Sequence, residues 1–229
     1  MTAKKLNIPN DIRPEIEASI RKAPEKMNVS MFLGMEEVGW EWTNGGIAVK
    51  ETIVWQPASE AMAINGDLEV DGNIVVSTKA KVDDTFLIVF GSIKCRNLIM
   101  GPQTTMLCLG DVRVNEVMSC TAGDSICEVA GEVHAFLLDS GSGAWLTIYD
   151  EKQLAVDHLA GYVMVGGRPL KPEKKVDLTK YVIEEAIEFE EWNDLSPEER
   201  EKGDIADYTR LDGFKAFHLL KKRKSILSI

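Results

Sequence analysis

The sequence has no long hydrophobic run and no recognisable leader. No window approaches about 18 uninterrupted apolar residues, which excludes a membrane-spanning helix. The first residues, Met1–Asn7, contain no apolar stretch of the kind that a signal peptide requires. We therefore expect a cytoplasmic protein that makes no contact with a membrane.

The usual signatures of catalysis and metal binding are also missing. Four cysteines show no CxxC spacing, and three histidines show no HxxH, HExxH or HxH spacing. These residues are Cys95, Cys108, Cys120, Cys127, His134, His158 and His218. The chain contains no GxSxG elbow, P-loop or GxGxxG motif. We expect buried, reduced thiols, no metal, no cofactor and no catalytic residue, and hence a protein that is not an enzyme.

Acidic residues outnumber basic residues, and the excess is uneven. The chain has 37 Asp and Glu against 26 Lys and Arg, a net charge of −11. Residues 184–207, here called the acidic segment, hold 11 acids and 2 bases. A nucleic-acid-binding surface needs the opposite sign, so nucleic acid is not an expected partner. A partner attracted to the acidic segment would be basic.

Four segments of the chain repeat around a glycine. They are MAINGDLEV, LIVFGSIKC, MLCLGDVRV and CEVAGEVHA, centred on Gly66, Gly91, Gly110 and Gly131. The residues two and four positions before and after each glycine are apolar or small, which gives sixteen positions in all. Alternation with a period of two is typical of a β-strand. The residue that follows each glycine is Asp, Ser or Glu, and we expect it to face solvent.

A strand motif that recurs at spacings of 25, 19 and 21 residues indicates a β-helix. Each coil would add strands that pair in parallel with the neighbouring coils, about 4.8 Å away. An antiparallel sandwich whose strands share a glycine is the alternative. A second strand per coil is predicted at Ile74–Val76, Leu98–Met100, Val117–Met118 and Phe136–Leu138, and a fifth, weaker coil at Trp145–Ile148 with Tyr162–Val165.

The repeat resembles that of a known family. The runs GDLEVDGNIVV, FGSIKCRNLIM, LGDVRVNEVMS and AGEVHAFLLDS are similar to bacterial short β-helix proteins related to bactofilins, the polymer-forming cytoskeletal family. They are more similar still to a group with one capped β-helix that is found among immunity proteins of polymorphic toxin systems. The resemblance covers about residues 60–150. It implies a mainly β fold, a short right-handed parallel β-helix of four to five coils.

The flanks of the repeat contain their own apolar faces. We assign residues 1–60 to an N-terminal cap of helix and strands, residues 61–168 to the β-helix, and residues 169–229 to an acidic, helical C-terminal cap. Because the ends of a solenoid expose apolar surface and unpaired strand edges, we expect these flanks to cover both ends.

Particular residues mark the helices of the flanks. Ile12, Ile16 and Ile20 lie four residues apart on one face of a short helix that contains Pro14 and ends at Pro24. Ser196–Glu199 is a capping box with proline at the first helical position. A last helix is predicted to begin near Asp212 and to direct Phe214, Phe217 and Leu220 inward. Trp40, Trp42 and Trp55 fit either the core of the cap or a platform for stacking sugars.

Three functions fit these features. The first is an immunity protein that binds and neutralises a cognate, basic toxin, because an acidic surface steers basic proteins towards itself. The second is a bactofilin-like scaffold that polymerises end to end. The third is a carbohydrate-active β-helix enzyme that would recruit residues such as Asp83, Asp84, Asp111 and Arg113. The possibility of a homodimer is left open.

The predicted partner-binding residues come from the acidic segment. They are Glu184, Glu185, Glu188, Glu190, Glu191, Trp192 and Asp194. The carboxylates would attract the basic partner, and the tryptophan would anchor it. The alternative is a solvated, negatively charged helix that only aids solubility. The interface would then be formed by outward residues of the coils, such as Arg113, Asn115 and His134.

The register of the repeat can be tested with two adjacent substitutions. Val112→Asp places a charge at an inward position without a partner and should cost several kcal/mol, enough to unfold a domain of ordinary stability. Arg113→Asp lies on the outward phase and should cost less than about 1 kcal/mol. Thermal unfolding measures both variants, and equal shifts in Tm would contradict the register.

Overall fold

The computed structural model describes residues 8–35, 38–55, 61–76, 85–120, 124–140, 144–149, 154–161, 163–170, 172, 176–189, 192–205, 209–220, 222 and 225–228. The chain is wound into a parallel β-helix of about five turns, with a few short helices in its flanks. The predicted mainly β fold is therefore confirmed, and the strand pairs between successive turns are parallel, which excludes the antiparallel sandwich.

The β-helix has three faces, each a stack of parallel strands. Face A consists of β1 (Trp40–Asn44), β4 (Ala61–Asn65), β7 (Thr85–Val89), β10 (Thr104–Cys108), β13 (Ile126–Val129), β15 (Trp145–Ile148) and β17 (Val163–Val165). Face B contains β2 (Ile47–Val49), β5 (Leu68–Val70), β8 (Ile93–Cys95) and β11 (Val112–Val114), and face C contains β3 (Ile53–Trp55), β6 (Asn73–Val76), β9 (Asn97–Met100) and β12 (Val117–Cys120). Two long strands, β14 (Val133–Ser140) and β16 (Leu154–Gly161), pass through both faces B and C.

The interior of the β-helix contains the predicted apolar positions. All sixteen belong to one core cluster, in which Met62 is partly buried and the other fifteen are buried. Strands of neighbouring turns keep them in register, as in the pairs Met106 with Leu87 and Val112 with Ile93. The alternation of the sequence therefore gave the correct inward phase on faces A and B.

The structure adds strands that the repeat did not indicate. Residues 40–55, which the sequence analysis assigns to the N-terminal cap, pair in parallel with the next turn and form a turn of the β-helix. Their inward positions on face A are Glu41 and Thr43, opposite Met62 and Ile64, so the apolar alternation is missing there. Strand β16 lies between the two strands that were predicted for the fifth coil.

The repeated glycines form a column at the corner between faces A and B. A Cβ atom built on Gly91, Gly110 or Gly131 would lie 2.5–2.7 Å from the carbonyl group of the preceding glycine in the column. Such a distance is impossible for a side chain, so only glycine allows this approach. The N–H of Gly110 donates to the carbonyl oxygen of Gly91 at 2.9 Å, and the other turns repeat this bond.

The polar residue after three of the four glycines binds the next turn. Asp67 Oδ1 accepts a hydrogen bond from the backbone N–H of Ser92 at 2.7 Å. Ser92 Oγ accepts from the N–H of Asp111 at 3.1 Å, and Asp111 Oδ1 accepts from the N–H of Glu132 at 3.0 Å. The motif of glycine followed by a hydrogen-bond acceptor thus has a structural role.

The N-terminal flank covers the outside of face A. It contains α1 (Arg13–Lys22) and α2 (Val29–Leu33), and the first of these agrees with the predicted helix. Ile12, Ile16 and Leu33 are buried against outward residues of face A such as Phe86 and Ile88. Trp40 and Trp42 are partly buried in the same cluster, so they serve the core and not an open platform. The side chain of Trp55 lies outside the described part.

The C-terminal flank covers the outside of face C. It contains β19 (Ile187–Phe189) paired antiparallel with β20 (Thr209–Leu211), and helices α3 (Pro197–Lys202) and α4 (Gly213–Leu220). The capping box at Ser196 and the start of α4 after Asp212 agree with the sequence. Buried residues of this flank, with Leu178, Ile187, Leu211 and Leu220 among them, pack on outward residues of face C. The side chains of Phe214 and Phe217 are not described.

The described helices of the flanks and the β19–β20 pair therefore lie along two sides of the β-helix. At the C-terminal end, β18 (Arg168–Leu170) pairs antiparallel with β17 and covers the edge of face A. The prediction that the apolar faces of the flanks cover both ends does not describe these helices, because the sequence shows that the flanks have apolar faces but not which surface those faces meet. The outward positions on faces A and C are themselves apolar, with residues such as Ile88 and Ile99, and they supply that surface. On face B the corresponding positions are exposed Glu69, Lys94 and Arg113.

The glycine column makes a specific prediction about stability. Gly110→Ala should destabilise the protein by about 2 kcal/mol, because the new methyl group meets the backbone of the preceding turn. The matched control is Gly39→Ala, since a Cβ there has no atom within 4 Å, and it should change stability by less than about 0.5 kcal/mol. Urea unfolding compares the two variants, and equal losses would show that the close approach is unimportant.

Candidate functional site

The first part of the acidic segment is anchored to the β-helix. Residues 184–186 form a 3₁₀ turn that leads into β19. Ala186 and Ile187 are buried in the cluster that covers face C, whereas Glu184 and Glu185 are exposed. The two carboxylates therefore project from a turn whose next residues are fixed in the core of the flank.

The other predicted contact residues have different surroundings. Asp194 is exposed on a second 3₁₀ turn at Trp192–Asp194. The backbone of Trp192 belongs to that turn, but its side chain is not described, and Glu190 and Glu191 lie outside the described residues. The segment is thus not one solvated helix at its start, because residues 184–189 form a turn and a strand.

Glu188 and Glu199 are among the carboxylates of the acidic segment that are engaged within the chain. Glu188 Oε2 accepts a hydrogen bond from Arg210 Nε at 2.9 Å, across the pair of β19 and β20. Glu199 accepts from the backbone N–H and hydroxyl of Ser196, which completes the capping box of α3. These bonds to Ser196 lower the pKa of Glu199. Glu188 is therefore a weaker candidate for a contact than Glu184.

The surroundings of the cysteines disfavour the reactive thiolate form. All four are buried. Burial raises the pKa of Cys95 and of Cys108 to about 12 and the pKa of Cys120 to about 11. It also raises the pKa of Cys127 well above its ordinary value. Because the thiolate is the reactive form, thiols with such pKa values remain unreactive near neutral pH.

His134, Asp111 and His158 each contact neighbouring side chains. His134 Nε2 lies 2.8 Å from Glu132 Oε2, and Arg113 donates to Asp111 Oδ2 at 2.9 Å, both on the exposed side of face B. The hydrogen bond from Arg113 lowers the pKa of Asp111. His158 packs between the rings of Phe136 and Tyr181, with centroid distances of 5.0 and 4.2 Å.

The described residues contain neither a cluster suited to a metal ion nor a helix that could cross a membrane. No cluster of three His, Cys, Asp or Glu side chains there has the arrangement of a metal site. No helix in the described ranges is long and apolar enough to cross a membrane. Asp83 and Asp84, which were considered for a carbohydrate-active site, lie outside the described residues.

Sequence reasoning missed a buried carboxylate on face A. Glu128 occupies an outward position and is only 5% exposed, because the N-terminal flank covers it. It accepts hydrogen bonds from the backbone N–H and the side chain of Asn28 at 3.0 and 2.5 Å, and from the Tyr149 hydroxyl at 2.8 Å. Burial and the adjacent Glu128 raise the pKa of Tyr149. Glu128 thus fastens the start of α2 to the β-helix.

A second buried carboxylate lies on face C. Asp139 is 3% exposed, and its Oδ2 atom has no hydrogen-bond partner among the described residues. The backbone N–H of Leu211 in β20 donates to this carboxyl group. In the sequence, neither Glu128 nor Asp139 differs from an acid at an exposed outward position, because only the flanks decide the burial.

Comparison with protein-family models, with curated proteins and with solved structures gave no match. The β-solenoid is shown by the strand pairing alone. The resemblance to bactofilins and to immunity proteins therefore rests on the glycine repeat.

Proposed function

We propose that this protein is an immunity protein, which binds a basic toxin and blocks it. The observation that carries the proposal is the presentation of Glu184 and Glu185. Both side chains are exposed, and both sit directly before residues that are buried on face C. A rigid platform lowers the entropy that is lost when a partner binds.

The charge of the chain supports the same partner. The acidic segment holds 11 acids and 2 bases, within a protein of net charge −11. Toxins that attack nucleic acids need a basic cleft, and an acidic surface competes for such a cleft and accelerates the encounter. The resemblance of the repeat to immunity proteins points to the same function.

Charge reversal at the turn tests this proposal. Glu184→Lys with Glu185→Lys should slow association with the basic toxin domain that the proposal expects in the neighbouring gene by about tenfold at low salt, because electrostatic steering is lost. The difference should shrink at about 1 M salt, where the Debye length is about 3 Å. Stopped-flow binding measures the rate, and survival of cells that make the toxin measures protection.

The matched control places the same charge change on another face. Glu69→Lys with Asp71→Lys alters net charge equally, but these exposed residues lie on face B and at its edge. The control should bind and protect nearly as well as the parent protein. Equal slowing by both double variants would mean that only net charge matters, and no slowing by either would leave the acidic segment as a solvated surface. A neighbouring gene without a toxin would also contradict the proposal.

The second candidate is a scaffold that associates through the ends of the β-helix. In the described part of the chain, no strand pairs with the outer side of β1, β2 or β3. The inward residues Ile47, Val49 and Ile53 of this turn are only partly buried. Exposed strand edges next to apolar side chains favour pairing with another chain. This observation supports the scaffold more strongly than the sequence did.

End-to-end association predicts a clear effect of one charge. Val49→Lys places an ammonium group at the inward side of the first turn and should prevent any growth in particle mass with concentration. Ala48→Lys is the control, because Ala48 is exposed on the outward phase, and it should leave such growth intact. Light scattering across a concentration series measures the mass. A constant mass of 25.4 kDa for the parent protein would rule out the scaffold.

A further inference from the structure

The two buried carboxylates, Glu128 and Asp139, have opposite surroundings. Glu128 accepts three hydrogen bonds, two from Asn28 and one from Tyr149. Asp139 accepts one from the backbone of Leu211, and its second oxygen has no partner. Three donors compensate a buried negative charge, whereas one donor does not. The surroundings of Asp139 therefore suit a neutral carboxylic acid.

Asp139 lies where the C-terminal sheet meets the β-helix. Asp139 belongs to β14 of the β-helix, which pairs with β12 on one edge and β16 on the other. In these pairs Asp139 is in register with Ser119 and Ala160. On the other side, β20 is a strand of three residues that pairs with β19. The Oγ1 atom of Thr209 in β20 is also buried without a partner. If Asp139 becomes charged, we therefore expect β20 to move and β14 to keep its position.

Among the residues that the structure describes, few charges near Asp139 could stabilise its ionised form. Arg210 on β20 is the nearby cation, and its guanidinium is partly exposed and hydrogen-bonded to Glu188 on β19. On the side of the β-helix, Cys120 on β12 is the neighbouring titratable group, and burial holds it as a neutral thiol. Ser119 and Ala160, which flank Asp139 in the sheet, carry no charge.

We propose that Asp139 acts as a proton-controlled latch, which holds β19 and β20 on face C while its carboxyl group is protonated and releases them when it ionises. Release lets water reach the oxygen that has no partner. The latch concerns the attachment of the C-terminal sheet and does not depend on the proposed function.

The direction of the pH effect follows from burial. Burial raises the pKa of Asp139 from 3.8 to about 7, against smaller opposing contributions from the N–H of Leu211 and from Arg210. A carboxyl group with a raised pKa stabilises the closed state below the pKa of the open state, and this stabilisation is lost as pH rises towards the pKa of the closed state. The sheet should therefore open more often from about pH 4 to pH 7 and reach a plateau above that range.

The histidines are titratable groups that the experiment must separate from Asp139. His158 packs 4.2 Å from the ring of Tyr181 in the C-terminal flank. His134 lies on face B, and His218 lies in α4. Removal of the Asp139 carboxyl group alone therefore identifies the group that controls the sheet.

Hydrogen exchange on the full chain tests the latch. The reporting amides are those of Leu211, which donates to Asp139, and of Asp212, which donates to the Ala186 carbonyl at 2.9 Å. After division by the intrinsic exchange rate, their opening constant should rise about 100-fold from pH 5 to pH 8, as linkage between the two pKa values requires. The amide of Val112, inside the β-helix, should show no such rise and serves as the internal reference.

Two variants complete the experiment. Asp139→Asn keeps the size of the side chain and removes its titration, so the opening constant of the Leu211 and Asp212 amides should become independent of pH. Glu128→Gln alters the other buried carboxylate. In this variant the opening constant of the Leu211 and Asp212 amides should rise with pH as it does in the parent protein. A flat profile for the parent protein would overturn the latch even if Asp139→Asn did not fold. The same 100-fold rise in a folded Asp139→Asn protein would also overturn it.

Discussion

The close approach of the backbone along the glycine column is the constraint on which the rest of this structure depends. At Gly91, Gly110 and Gly131 each turn lies directly on the carbonyl group of the previous turn, and any side chain would force them apart. This contact fixes the register of the whole turn, because the inward residues stand two and four positions on either side of it. The acceptor after the glycine then binds the next turn, so one dipeptide supplies both the close packing and a polar link.

The outward positions of the β-helix determine what each face does. Faces A and C carry apolar side chains there, and burial of these side chains by the two flanks adds a second and a third cluster to the interior core. Face B carries charged side chains and remains exposed. The same arrangement determines the surroundings of outward acidic residues. On face B such a residue is solvated. Under the flanks, Glu128 is bound by three donors, whereas one oxygen of Asp139 has no partner among the described residues.

The features that depend on local alternation of apolar residues could be predicted from the sequence. The features that depend on packing between distant segments could not. The sixteen inward positions, the capping box at Ser196 and the first helix all follow from short-range patterns. The first turn was missed because Glu41 and Thr43 interrupt its apolar phase. On face C, both the inward and the outward side chains of strands such as Asn73–Val76 are buried. The sequence pattern therefore does not show which of these side chains point into the β-helix. The burial of Asp139 and the strand after Glu184 depend on packing between segments far apart in the chain, and no local pattern records such packing.

Unequal spacing of the glycines points to where the chain can change in length. From the last inward residue of face A to the first of face B, each step in the repeat takes four residues, as from Cys108 to Val112. The step from face C back to face A varies, with six residues from Met100 to Met106 and eleven from Val76 to Leu87. The β-helix of this chain therefore accommodates segments of different length at this corner, opposite the glycine column. New surface loops could be grafted there in engineering without disturbing the order of the strands.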